Sequence, residues 1–307
     1  MAVATSGGRD STALLHCTLA QARPLGIEVL ALHVHHGLMP QADGWQAQVQ
    51  RQAQRWGAGF ASEQLAGAPA KGDSVEAWAR QGRYAALARL AHSHGCGLVL
   101  LAHHRRDQAE TWLLQALRGA GSAGLSAMPR RAERDGLVWC RPWLEQPREV
   151  IEAYVRRHRL RVVEDASNLD PRYGRGRLRG SVWPVLQGAF PQVDTVLAMA
   201  ARHAQAAQAL AEEAATADAA LVQAGDALRL APWLALPPAR RANVLRAWLQ
   251  QRLGQGAPQT LVERLLAEAP GVGPASWPAP GAAVQRRRGE LRVRPDTAPT
   301  GRRQRPS

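Results

Sequence analysis

Lysine is nearly absent from this chain: Lys71 is the only one in 307 residues, and arginine supplies every other one of the 39 basic side chains. A phosphate-gripping G-x-x-x-x-G-K-[ST] loop is therefore excluded, because its lysine has no counterpart. No G-x-G-x-x-G follows an apolar run, which argues against a dinucleotide site. Cysteine is scarce too. Cys17, Cys96 and Cys140 stand apart, odd in number and without C-x-x-C spacing, as free thiols do in a reducing cytosol; a cytoplasmic location is expected. No apolar run reaches membrane-spanning length and the N-terminus lacks a signal-peptide pattern, so no membrane partner is expected. Acids are also short: 25 face 39 bases, leaving a formal charge of +14. That excess points to an anionic partner, nucleic acid first. A general bias toward Arg and Ala is the plainer source, yet it does not explain why acids fail to balance it.

The length suggests two domains. Apolar runs at 2–4, 27–34, 59–65 and 98–102 alternate with helical patterns over 11–22, 42–56, 75–94 and 107–117. Such alternation predicts an α/β fold with a doubly wound parallel sheet, which 138–143 and then 148–158 extend. A helix over 178–186 leads out, and Pro191 opens a smaller, mainly helical domain, with boundaries expected at 1–187 and 190–295. Its helices are read at 192–222, 238–253 and 259–267, followed by a small hairpin pairing 282–285 with 291–294. The Pro/Arg-rich tail, 296–307, is expected to be disordered. No internal repeat is present.

The most informative six residues are Ser6-Gly7-Gly8-Arg9-Asp10-Ser11, between the short apolar stretch and the first helical pattern. Two glycines allow a sharp turn and bring N–H groups close to an anion. The helix behind them points its positive end at the same spot, with Ser11 as its expected cap. Such a loop suits a phosphate or pyrophosphate; a plain Gly-Gly turn with a helix cap is the alternative. The S-G-G-x-D-S form resembles the pyrophosphate loop of the N-type ATP pyrophosphatases, which cleave ATP between the α- and β-phosphates and attach AMP to a carbonyl-type oxygen.

Four further segments resemble, within that superfamily, the tRNA(Ile)-lysidine synthases. His33-Val34-His35-His36-Gly37-Leu38 ends the second apolar run, at the sheet edge where open α/β folds bind ligands. Three clustered histidines suggest a metal, but no Cys or carboxylate lies at zinc spacing; the resemblance implies a border of the adenosine pocket. The run from Val75 to Tyr84 sets Arg80 and Arg83 on one helix face. The residues alone leave open a solvated basic edge or a phosphate ligand; in the family an arginine of this R-x-x-R-Y run is linked to ATP phosphates. Between Ala102 and Thr111, Asp107 and Glu110 lie one turn apart, facing the same way as His103. Such carboxylates can hold a divalent cation or an ammonium group, or merely complement the helix dipole. The similarity to H-x-x-D-D-Q-x-E-T implies lysine recognition by Asp107 and Glu110, with Arg106 standing where many members carry the first Asp. From Glu164 to Arg179, turn chemistry predicts a loop loaded with Arg172, Arg175, Arg177 and Arg179. Loop-borne arginines mean solvated surface or phosphate contact. This segment resembles E-D-x-S-N-x-D-x-x-Y-x-R-N-x-[LI]-R, with Gly176 in place of Asn, and is the most family-specific of the four. A Gly-rich loop over 119–128 adds a further match, either packing beside a bound base or simply turning.

The matches run in order from about residue 3 to 180. They imply an ATP pyrophosphatase catalytic domain (adenine nucleotide α-hydrolase-like) over 1–187, in a short form of the family without its last C-terminal domain. The implied activity is a ligase forming a carbon–nitrogen bond. Lysine joins C2 of the anticodon wobble cytidine, position 34, of tRNA(Ile) with a CAU anticodon. An adenylated cytidine intervenes, the products are lysidine, AMP and pyrophosphate, and the codon read changes from AUG to AUA. ATP is expected on Ser6, Gly7, Gly8, Arg9, Asp10, Ser11, His33, Arg80 and Arg83, Mg²⁺ on Asp10, and L-lysine on Asp107 and Glu110. Asp10, His103, Arg175 and Arg179 are the expected catalytic groups. A homodimer is left open. The alternatives are another tRNA-modifying enzyme of the superfamily, such as a 2-thiolase, against which the scattered cysteines speak, and a non-catalytic RNA-binding relative, which Arg106 and Gly176 make conceivable. Basic stretches at 286–294 and 302–305 are candidates for phosphate contact. The loop begins five residues after Met1, which suggests a natural start further upstream.

Overall fold

The computed structural model describes residues 1–35, 37, 41–67, 75–163 and 170–296. His36, Leu38, Lys71, the 164–169 part of the arginine-loaded loop and the tail from 297 lie outside the described residues. The chain divides into two compact units, Met1–Gln205 and Ala206–Ser307.

In the first unit, β1 (Ala2–Ala4), β2 (Leu30–His35), β3 (Gly59–Gln64), β4 (Leu98–Leu100), β5 (Arg131–Arg134) and β6 (Leu137–Cys140) form one sheet in the order β3-β2-β1-β4-β6-β5. All pairings are parallel except β5 with β6. Strand alternation sends successive β1 side chains to opposite faces. Ala2 joins Leu32, Leu87, Val99 and Trp139 on one face, and Val3 joins Leu14, Leu15, Ala31 and Ala53 on the other. Helices α1 (Arg9–Ala22), α2 (Ala42–Arg55), α3 (Val75–Ser93), α4 (Arg105–Ala116), the short α5 (Ser122–Leu125) and α6 (Arg148–Arg157) complete the alternating core. Burial on both faces explains why the central strands read as continuous apolar runs. The chain winds outward from β1 to β3, then returns to place β4 on the other side of β1. The loops leaving β1 and β4 therefore diverge at the switch point, which opens a crevice at the carboxyl ends.

Strand β5 is absent from the sequence reading because Arg131-Ala132-Glu133-Arg134 shows no apolar alternation. Its turn was the available signal: Asp135-Gly136, with φ of 56° and 70°, is a two-residue connection of the type right-twisted hairpins favour. The helix expected over 178–186 is longer and interrupted. It comprises α7 (Gly174–Arg177), a π-helical turn (Leu178–Val182) and α8 (Trp183–Ala189). Pro184 accounts for the break, since it brings no N–H for the carbonyl one turn back. Helix α9 (Val193–Val222) follows; Gln205, on its N-terminal half, donates to the carbonyls of Ser126 and Met128, so the structural division falls within α9.

The second unit carries more sheet than the expected hairpin. After α9 come β7 (Gln223–Ala224), β8 (Ala227–Arg229), α10 (Leu230–Ala235), α11 (Pro238–Leu253), α12 (Gln259–Glu268), β9 (Ala275–Ala279), β10 (Ala282–Arg287) and β11 (Glu290–Pro295). The strands form an antiparallel sheet in the order β7-β8-β11-β10-β9. Pro278 fits because β9 is an edge strand. Trp233, Trp248 and Trp277 pack with Leu245, Leu249, Leu265, Val284 and Leu291 into one core.

Arg286, expected among the phosphate-contacting residues, is instead buried. Its guanidinium donates to the carbonyls of Glu268, Ala269, Val272 and Gly273, closing the C-terminal end of α12, where a cation also complements the helix dipole. Replacing Arg286 with Met leaves those carbonyls unpaired and should cost about 2–4 kcal/mol. Urea unfolding followed by tryptophan fluorescence measures this, with Arg287→Met as a near-neutral control.

Candidate active site

Two turns meet at the β1–β4 switch point: 5–8, leading into α1, and 101–104, leading into α4. The first is shaped by backbone demands. Gly7 has φ +87°, and a Cβ there would lie 2.9 Å from Val49 Cγ2 and 3.1 Å from Val163 Cγ2; only glycine suits it. Its carbonyl accepts from Thr12 Oγ1 at 3.0 Å and Val163 N at 2.8 Å. Gly8, not Ser11, is the N-cap of α1. Ser11 Oγ instead ties the loop together, accepting from Ser6 N at 3.1 Å and donating to Gly8 O at 3.1 Å. The expected cap is thus a loop brace, and the N–H groups of the first turn lack intrahelical partners, as in any helix. The Arg9 side chain is drawn away to Glu152 on α6, at 2.6 Å. His33 is buried and bonded through Nδ1 to Thr5 O at 2.8 Å, so it braces the loop's entrance. Burial pushes its pKa down, against the Thr5 bond.

The second turn supplies the charges. His104 caps α4 through a capping box: its N–H donates to Asp107 Oδ2 at 3.1 Å. Its ring Nε2 lies 3.7 Å from Asp10 Oδ2 and 3.5 Å from Asp107 Oδ2, linking the two turns. Burial opposes its charged form, but Asp10, Asp107 and Glu110 outweigh this and raise its pKa. Asp10 shows the converse: burial favours its neutral form, and His104 and Arg9 overcome that to lower its pKa. Burial likewise opposes the Asp107 charge, yet His104, His103, Arg179 and Arg175 bring its pKa to about 2. His103, singled out from sequence, is chemically opposite to its neighbour. Burial, aided by Arg141, Arg175 and Arg80 and opposed by Asp107, pushes its pKa to about 3, so it is neutral, and its buried Nδ1 has no hydrogen-bond partner. His104 was passed over because its caps and charge partners are contributed by α1 and α4 together.

Arg179 occupies the carboxylate pair. Its Nε donates to Glu110 Oε1 at 2.8 Å, and its Nη2 donates to Glu110 Oε2 at 2.8 Å and Asp107 Oδ1 at 2.9 Å. Glu110 is 0% exposed, so losing its cation would leave a buried charge unpaired, at a cost of about 3–5 kcal/mol. Arg175 donates to Thr111 Oγ1 at 2.6 Å, and its Nε lies 3.4 Å from Glu110 Oε2. Both arginines expected across the site therefore reach it. Gly176 sits between them, and a Cβ there would lie 1.9 Å from Asp170 O; the backbone occupies the space where the family's Asn would begin its side chain. Arg106 does not face the site. It pairs with Asp194 at 2.8 Å, donates to Gln187 at 3.1 Å and lies over Trp183, bracing α4 against α8 and α9. Gln108 bonds both backbone groups of Met128, at 2.9 and 3.0 Å, fastening the end of the Gly-rich loop.

A cationic margin completes the crevice. Arg141, missed by the sequence reading, is 6% exposed and donates to Pro129 O and Tyr84 Oη. Arg80 lies over the Tyr84 ring at 5.5 Å. Arg83 is exposed, and Arg80 and Arg175 lie near enough to act on it as like charges. A glycine turn, a carboxylate pair filled by Arg179 and an arginine margin thus converge where β1 and β4 end.

Comparison with known proteins places both units among known domain families. The PP-loop domain family matches residues 1–186, and the TilS substrate binding domain matches 228–292. The tRNA(Ile)-lysidine synthase of Ralstonia nicotianae is 44% identical over 298 residues, covering 94% of this chain and 63% of that protein. That of Bordetella pertussis is 42% identical over 272 residues, covering 86% of this chain and 84% of the relative. Among solved structures, the U34-tRNA thiolase NcsA from Methanococcus maripaludis, with its [4Fe-4S] cluster, matches with a TM-score of 0.54 at 14% identity, over 66% of this chain and 70% of that one. That likeness is one of fold.

Two outcomes test the geometry. Gly176→Ala should destabilise the first unit by about 1–3 kcal/mol through overpacking; calorimetry reads this, and an unchanged Tm would mean that Asp170 yields freely. The raised His104 pKa adds stability that is fully present below about pH 6.5, the unfolded value, and is lost as pH rises through the folded value. The lowered Asp107 pKa adds stability present above about pH 4 and lost as pH falls through about 2. Melting temperatures should therefore decline from pH 6 to 9 in the parent, and His104→Asn should flatten that decline.

Proposed function

Because the chain belongs to the tRNA(Ile)-lysidine synthases, ATP-using ligases built on a PP-loop domain, we propose that it joins L-lysine to C2 of the wobble cytidine in tRNA(Ile) with a CAU anticodon. The observation that carries this reading is the continuous charge chain Asp10–His104–Asp107–Arg179–Glu110. It connects the phosphate loop to the carboxylate pair within one cleft, as a reaction needs when it makes an adenylate and consumes it with an amine.

The first-turn N–H groups of α1 take the ATP phosphates, with Arg80, Arg83 and Arg175 supplying positive charge. An unpaired anticodon base enters the cleft, as bases of single-stranded loops do when proteins read them. Its C2 oxygen attacks the α-phosphorus; the new O–P bond forms as the bridging P–O bond breaks, and pyrophosphate leaves. The neutral ε-amine of lysine then attacks C2. The C2–O bond breaks, AMP departs with the electron pair, and the amine gives up a proton. His103, neutral, orients groups by hydrogen bonding and carries no charge of its own. Placement and charge neutralisation supply most of the acceleration.

Mg²⁺ fits Asp10. Among the described residues its oxygens meet Arg9 at 3.4 Å and His104 at 3.7 Å, longer than strong hydrogen bonds, and magnesium uses one or two carboxylates together with phosphate oxygens. When bound, it would neutralise charge on the departing pyrophosphate. The second unit supports tRNA docking through its exposed Arg287, Arg288 and Arg294. A thiolase is disfavoured: Cys17 on α1, Cys96 between α3 and β4 and Cys140 on β6 are free and separate, and no group of three metal-ligating side chains occurs among the described residues. No helix of the described residues is long and apolar enough to cross a membrane, and the free thiols support action in the cytoplasm.

Asp10→Ala should abolish lysine incorporation and pyrophosphate release, with tRNA binding nearly unchanged. Radiolabelled lysine with tRNA(Ile) and ATP is the assay. Incorporation at the parent rate would remove Asp10 from the chemistry, and absence of tRNA-dependent pyrophosphate release in the parent would remove the proposed reaction.

A further inference from the structure

Asp107 and Glu110 already hold a cation, and it belongs to the chain itself. The Arg179 guanidinium makes three hydrogen bonds of 2.8–2.9 Å to them, engaging both oxygens of Glu110. The second oxygen of Asp107 is taken by the His104 N–H at 3.1 Å. The acceptor directions facing the pair are thus largely filled. An ammonium group brought by a substrate meets a slot whose charge is already balanced.

Arg179 is also held in a way that permits exchange. It lies in the π-helical turn Leu178–Val182, a feature frequent at functional sites, and its side chain retains 27% exposure while Glu110 retains none. Departure of Arg179 alone would strand a buried carboxylate; departure against an arriving ammonium leaves the charge balance unchanged. Once displaced, its guanidinium is a planar fork suited to phosphate oxygens.

We propose that Arg179 is a positioning residue that competes with the substrate amino acid for Asp107 and Glu110, so that arrival of the ammonium group frees Arg179 for the phosphates of the nucleotide. This rests on the reading of lysine as substrate. Binding is weakened by the fraction of time the slot is free: if Arg179 fills it nine-tenths of the time or more, removing it strengthens lysine binding about tenfold or more.

The test uses the full chain and L-lysine without tRNA, by calorimetric titration. Arg179→Ala should bind lysine about tenfold or more tighter than the parent, while Arg179→Lys, which keeps a tethered cation, should stay close to the parent. Equal or weaker lysine binding by Arg179→Ala overturns the exchange. A second measurement needs no folded alanine variant. In the parent labelled with ¹⁵N-arginine, the Arg179 Nε–H signal, assigned by its loss in Arg179→Lys, should move to a solvent-exchanging position when lysine saturates. A signal unmoved by bound lysine overturns the exchange while leaving the substrate reading intact. Lysine binding by neither parent nor variants withdraws the substrate reading and the exchange with it.

Discussion

The ion pair between Arg179 and the buried Glu110 is the constraint on which the cleft depends. A fully buried carboxylate is tolerable only with a cation whose hydrogen bonds satisfy its oxygens, and the Arg179 guanidinium bonds both oxygens of Glu110. Meeting that demand draws the α7–α8 segment onto α4, since Arg175 and Arg179 come from the former and Asp107, Glu110 and Thr111 from the latter. Asp107 then passes the coupling to His104 and Asp10. The phosphate loop and the carboxylate pair are therefore held by one electrostatic network rather than by separate packing.

Much of this was legible where a residue's own backbone chemistry dictates its place. Gly7 could be read as a turn because a left-handed φ and a crowded Cβ both demand glycine. Asp107 and Glu110 could be placed together because helix periodicity puts them on one face. What stayed hidden depends on partners distant in sequence. Arg106, read as a lost carboxylate, finds Asp194 on α9 and Gln187 on α8. Ser11, read as a cap, is claimed by Ser6 and Gly8. His103 and His104 are neighbours with opposite electrostatics, and nothing in the dipeptide distinguishes them until α1 brings Asp10 to one of them. Strand β5 escaped because a polar edge strand carries little periodic signal, and β7, β8 and β9 because they are only two, three and five residues long.

The near-absence of lysine takes on meaning in this setting. Many of the arginines do work that needs a fork or several donors. Arg286 satisfies four carbonyls, Arg105 bridges Glu145 O and Thr195, and Arg240 pairs with the buried Asp218. Net charge is thus a poor map of where an anion binds. The informative arginines are those with no carboxylate partner among the described residues: Arg141 beside His103 in the cleft, and Arg287, Arg288 and Arg294 on the second unit, exposed where β10 turns into β11 and where β11 ends.

The same accounting sets a condition on the chemistry. An amine held between two carboxylates keeps its proton more firmly, because the charged form gains what the neutral form loses, and a protonated amine cannot attack C2. On the proposed reaction, the carboxylate pair would suit the α-ammonium of lysine, with the ε-amine left to reach the adenylated base from a less acidic part of the cleft. His103, kept neutral beside Arg141 and Arg175, provides such surroundings: cations nearby lower the amine's proton affinity, and a neutral ring adds no negative charge to restore it. If lysine is the substrate, the division of the cleft into an acidic pocket and a basic margin would keep one of its nitrogens charged and the other reactive.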